Sequence, residues 1–176
     1  METDSFFWQL LNKLPETLFA LLGLPIERAA DYRFDALEIK KSYRLDGIFV
    51  PAKKRMPLYF VEVQFQRNPA FYPNLLGKVY SYLEANDPSQ KWIAVALFAQ
   101  RSLEPKRQPD CEALVEKGYV CPIYLDELEV PDQATPGLKI LQLVTAPENE
   151  ARERVSELMR ESRQQIDCER GQRIVE

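Results

Sequence analysis

A chain of 176 residues with 45% hydrophobic content is sized for one packed domain with an appended segment rather than for two cores. Its net charge of -4 argues against wholesale coating of nucleic acid, and the complete absence of histidine excludes Ser-His-Asp and Cys-His nucleophiles, histidine general bases and histidine-held zinc. Any chemistry must come from carboxylates, lysines, tyrosines or a hard metal ion.

In chain order, Asp4 or Ser5 is placed to cap a helix carrying Phe6, Phe7, Leu10, Leu11 and Leu14 at helical spacing. Pro15 interrupts it, and the continuation from Glu16 to Leu22 stops at Gly23 with Pro25 beyond. Ile26 to Phe34 lacks a period and reads as a loop or a short helical turn. Three extended segments follow: Ala36 to Tyr43, Arg44 to Val50 and Pro57 to Gln66. The second and third are joined by the turn 51–56 as an antiparallel hairpin. In the third, Tyr59, Val61, Val63 and Phe65 share one face, and Phe60, Glu62, Gln64 and Gln66 the other. A helix opening at Asn68-Pro69 or Pro73 carries Leu75, Leu76, Val79, Tyr82 and Leu83, and ends near Asn86.

Trp92 to Phe98 is almost continuously apolar, as expected of a central strand covered on both faces in the parallel part of a mixed sheet. Val120 to Leu125 reads as another strand, and Leu138 to Val144 as a strand in preference to a short helix. The capping box Thr145-Ala146-Pro147-Glu148 launches a helix bearing Ala151, Val155, Leu158 and Met159, which frays after Ile166. The expected division is a domain over residues 1–145 and a helical tail over 146–176. No apolar run approaches the roughly 20 residues that cross a bilayer, and no basic leader precedes one, so a cytoplasmic compartment without membrane contact is expected. Cys111, Cys121 and Cys168 lack metal-site spacing and are expected to be reduced.

Asp46 in Leu45-Asp46-Gly47-Ile48-Phe49-Val50 and Glu62 in Leu58 to Gln66 are isolated carboxylates within apolar strands. Burying such groups without a partner costs several kcal/mol, so they seek cations, metal ions or donors. The two form a candidate metal site. Competing readings remain open: Asp46-Gly47 is also a favoured hairpin turn, and Glu62, Gln64 and Gln66 also fit the wet side of a ribbon. Glu38 also fits an exposed charged strand, pairing with Lys40 or Arg44. Eight basic residues lie between Arg28 and Arg55 against four acids, so the candidate site sits in the basic part of the chain. Arg44, Lys53, Lys54, Arg55 and Arg67 are candidate phosphate contacts. Lys78 is a further candidate nucleic-acid contact, a point charge on a flexible stem that can reach back to the site.

The order helix, three strands, helix, strand, with Asp46 on the second strand and Glu62-Val63-Gln64 on the third, resembles the core of the PD-(D/E)XK nuclease superfamily. More narrowly, Phe34 to Lys40, Arg44-Leu45-Asp46-Gly47 and Tyr59 to Gln66 resemble the bacterial family of recombination-promoting nucleases and transposases, over roughly residues 1–128. The resemblance implies a restriction-endonuclease-like α/β fold with a mixed central sheet flanked by helices. It further implies Asp46 and Glu62 as metal-ligating carboxylates, the Val63 carbonyl as a further ligand, and Glu38 as another acid near the ion. Gln64 stands where the superfamily commonly has lysine, and a neutral amide cannot supply an ammonium's charge.

Mg²⁺ or Mn²⁺ suits such a donor set, since a hard cation binds with one or two carboxylates while keeping several waters. It would polarise a phosphodiester and acidify an attacking water, which Gln64 is suited to orient. The expected function is therefore metal-dependent DNA endonuclease activity, with homodimerisation a convenient way to cut both strands. Two alternatives are a recombination accessory protein that binds nucleic acid without useful catalysis, and a protein-interaction domain using its acidic second half.

Overall fold

The computed structural model describes residues 2–39, 43–86 and 90–145. Helices α1 (Glu2–Lys13) and α2 (Glu16–Leu21) lead through a 3-10 turn, Ile26–Asp31, into strands β1 (Tyr32–Ile39), β2 (Tyr43–Pro51) and β3 (Leu58–Gln64). Helix α3 (Phe71–Asn86), strand β4 (Trp92–Phe98), helix α4 (Pro109–Glu116), strand β5 (Val120–Tyr124) and helix α5 (Pro136–Thr145) complete the described chain. The five strands form one mixed sheet in the order β1-β2-β3-β4-β5, antiparallel from β1 to β3 and parallel from β3 to β5. This is the α/β fold expected, with its helix, three strands, helix and strand in sequence.

Period-two alternation in β3 decides which layer covers which face. Tyr59 and Val61 join Phe49, Val95 and Leu97 in a core closed by Phe7, Leu11, Leu18 and Phe19 from α1 and α2 and by Leu141 from α5. Phe60 joins Ile48, Ala94, Ala96 and Phe98 in a second core, closed by Phe71, Tyr72, Leu75 and Val79 from α3 and by Cys111 from α4. Each fully buried large side chain contributes about 1.5–3 kcal/mol, so the two cores together fix the sheet between its helical layers.

Several expectations need correction. Leu138 to Val144 is helix, not strand: apolar runs this short do not distinguish the two by period. The tertiary context decides it, because Gly137, Leu141 and Val144 fall at i, i+4 and i+7 on one face. A Cβ at Gly137 would stand 1.7 Å from Thr17 Oγ1, so only glycine lets α5 lie this close to α2. Strand β1 begins at Tyr32, inside the segment read as irregular, and α4 lies in a stretch for which no element was expected. Strand β4 is interior, but β3 holds the middle position. Asp46 lies on the second strand as expected, and the competing hairpin-turn reading of Asp46-Gly47 falls, since both residues lie within β2. Thr145, read as a helix cap, is the last residue of α5, while residues 146–148, the helix expected after them and Cys168 lie outside the described residues. Among the described residues no helix is long and apolar enough to cross a membrane.

Candidate active site

Strand β2 carries one residue more than β1 where they pass the site: Asp35 pairs with Ile48, but Leu37 pairs with Leu45. The extra residue makes a β-bulge at Asp46-Gly47, a feature that bends a strand and re-aims a side chain. Leu45 and Ile48, three apart, consequently both enter the core beneath α3. Gly47 has an ordinary φ, and its role is space: a Cβ there would stand 2.2 Å from the Phe34 ring.

On the other side of β2 the register is Gly47 with Val61 and Ile48 with Phe60, and Asp46 and Glu62 are the next residues along their strands, close enough for their charges to interact. The Val63 N–H donates to Asp46 Oδ2 at 2.7 Å, so the carboxylate caps β3 where its regular pairing with β2 ends. Glu62 shares the α3 face with Phe60. That face is not a wet ribbon, because α3 covers it and the Glu62 side chain is only 15% exposed.

Lys78 closes the arrangement. It lies three residues after Leu75 and four before Tyr82, on the stripe that α3 turns to the sheet, and donates to Glu62 Oε1; it too is 15% exposed. The second carboxylate oxygen, Glu62 Oε2, is buried without a hydrogen-bond partner. Burial first, then the neighbouring Asp46 carboxylate, push the Glu62 carboxyl up to about 7. The Lys78 ammonium pulls the other way, as does a hydrogen bond from the Asp46 peptide N–H.

A two-carboxylate donor set fits a hard divalent cation. A buried carboxylate oxygen lacking a donor is a group that an ion would satisfy, and Glu62 Oε2 is such an oxygen. Among the described residues no cluster of three or more His, Cys, Asp or Glu side chains occurs; Mg²⁺ can bind through one or two carboxylates while keeping several waters.

The other residues singled out from the sequence divide by position. Gln64 donates its side-chain amide to the Gln66 carbonyl, on its own strand's continuation. Glu38 pairs with Arg44 in the β1–β2 register, near the bulge. Arg67, exposed just after β3, lies at the site end of the sheet. Lys53, Lys54 and Arg55 lie in the β2–β3 turn at the opposite end of β3, and from Leu58 to Glu62 alone is about 13 Å of strand. Lys53 there faces Asp31 at 3.7 Å. The basic turn therefore does not surround the carboxylates.

A second polar cluster lies at the carboxyl ends of β4 and β5 and has no counterpart in the sequence reading. Glu104 accepts from Tyr72, Tyr124 and Arg107 Nε, the last at 2.7 Å, and Arg107 also reaches Glu112 at 3.0 Å. Burial raises the Glu104 carboxyl, but these three donors outweigh it and leave the group below its ordinary range. Beside it, the Arg101 guanidinium lies 3.8 Å from the Tyr124 ring centroid and pairs with Glu127 at 2.5 Å. All the partners in this cluster are satisfied, which suits a strut bracing α3 against the strand ends.

A family model described as "Protein of unknown function (DUF2887)" matches residues 3–176, and the chain belongs to that family. No curated protein and no solved structure matches it.

Proposed function

We propose that this protein is a Mg²⁺- or Mn²⁺-dependent nuclease that hydrolyses DNA phosphodiesters, built on the PD-(D/E)XK plan and acting in recombination or on mobile elements. The observation that supports this most is the pair of interacting carboxylates, Asp46 on β2 and Glu62 on β3, with Glu62 Oε2 buried and unsatisfied. When bound, the ion would supply Lewis acidity toward a phosphoryl oxygen and lower the pKa of a water.

The chain's own residues supply the rest. Asp46, held by the Val63 N–H, and Glu62, held by Lys78, present fixed carboxyl oxygens, and the Val63 carbonyl belongs to the same strand segment. Arg44 and Arg67, at the site end of the sheet, are suited to hold phosphates without reading sequence. A second reading, a DNA-binding accessory protein without catalysis, is favoured by one observation: Gln64 spends its amide on Gln66. Incubation of plasmid and linear DNA with the wild type, Asp46→Ala and Glu62→Ala in Mg²⁺ or Mn²⁺ tests the proposal. Cleavage by the wild type alone is expected. Equal cleavage by all three would reject the assigned residues, and salt-sensitive DNA binding without cleavage would support the accessory reading.

A further inference from the structure

Gln64 leaves the site without an ammonium on its own strand, yet an ammonium is present. Lys78 Nζ contacts Glu62 Oε1 from across the sheet-to-helix layer, while Glu62 Oε2, the other oxygen of the same carboxylate, is buried without a partner. A lysine 15% exposed on an otherwise apolar helical stripe is an uncommon placement, because a desolvated ammonium requires a carboxylate in compensation.

On the reading of the site given above, we infer that Lys78 and the divalent ion share Glu62, one on each carboxylate oxygen, and that Lys78 is the cation that offsets negative charge developing on the phosphoryl oxygens as water adds to phosphorus and the ester oxygen leaves. Lys78 enters as the ammonium and returns as the ammonium. Its part is electrostatic, and it neither takes the water's proton nor gives one to the leaving oxygen. Supplying this charge from α3 instead of β3 lets position 64 be a neutral amide without emptying the site of positive charge.

Two consequences of opposite sign distinguish this role from simple support. A cation in contact with Glu62 repels the ion bound to the same carboxylate, so its removal should tighten metal binding while slowing the reaction. Mn²⁺ affinity by calorimetry, thermal stability in EDTA, and steady-state cleavage of linear DNA are to be measured for the wild type, Lys78→Met and Lys78→Arg. Lys78→Met should bind Mn²⁺ roughly fivefold to tenfold more tightly. Its kcat should fall by about 100-fold with KM for DNA within threefold of wild type. Lys78→Arg, which keeps the charge, should hold wild-type metal affinity and recover part of kcat. Unchanged or weakened Mn²⁺ binding in folded Lys78→Met, or wild-type kcat in that variant, would overturn the assignment while leaving the nuclease reading intact. Absence of both Mn²⁺ binding and cleavage in the wild type would overturn both.

Discussion

In metal-free buffer, raising the pH should destabilise this protein through Glu62. Its carboxyl is ordinarily half-protonated near 4.5 and is pushed up to about 7 in the fold, first by burial and then by Asp46. Between those two pH values the folded state binds more protons than the unfolded chain, so stability falls as pH rises. The contribution is fully present below 4.5 and fully lost above 7. At 1.36 kcal/mol per unit, the 2.5-unit difference amounts to about 3 kcal/mol. For a chain of this size that corresponds to roughly 6–12 °C in Tm. Because Glu62 and Asp46 interact, the pair rather than either residue sets the midpoint. The assay is urea denaturation in EDTA from pH 4.5 to 8 for the wild type and Glu62→Gln, reading the difference between the two curves so that all other titrating groups cancel. The difference should slope by about 3 kcal/mol across this range, and Mg²⁺ at pH 8 should recover stability in the wild type alone. Parallel curves would refute the reasoning, since they would mean that Glu62 titrates alike in the folded and unfolded chain.

Three further outcomes follow from the geometry. Asp46→Ala removes the acceptor of the Val63 N–H and should cost about 1–3 kcal/mol by denaturation at pH 5, where Glu62 is mostly protonated, whereas Asp46→Asn should recover most of the loss. Gly47→Ala forces a methyl against the Phe34 ring, itself packed 4.8 Å from the Phe49 ring, and should cost about 1–3 kcal/mol; Phe34→Leu in the same chain should relieve it. Arg107→Met leaves Glu104 without its cation and should cost about 3–5 kcal/mol at pH 7. Because the Glu104 carboxyl lies below its ordinary value, that cost should shrink as pH falls below about 4.5 and Glu104 protonates, which an acid-denaturation series will show.

The sheet was legible because β2, β3 and β4 carry the plainest patterns: alternation in Tyr59 to Gln64 and an unbroken apolar run in Trp92 to Phe98. The same alternation placed Glu62 and Gln64 on one face. It could not say whether that face is wet, because the answer lies in α3 lying over it. Leu138 to Val144 was misread since its period is ambiguous at that length, and Gly137, the residue that admits α5 to Thr17, looks like any other glycine in sequence. Asp46-Gly47 had two readings, and the β-bulge that separates them is a property of pairing with β1, which no local pattern encodes. Lys78 on the stripe of α3 carried a usable signal, a charge where the helix is otherwise apolar. The Glu104 and Arg107 cluster carried none, as its members come from α3, the segment before α4, α4 itself and β5.

The central claim is that Asp46 and Glu62 hold one ion between them, and anomalous diffraction from a crystal soaked in Mn²⁺ tests it most directly. A single anomalous peak within coordination distance of both Asp46 and Glu62 Oε2, absent from Glu62→Gln crystals, is the predicted result. A peak on one carboxylate alone, or the two side chains left as they stand with no peak between them, would contradict it.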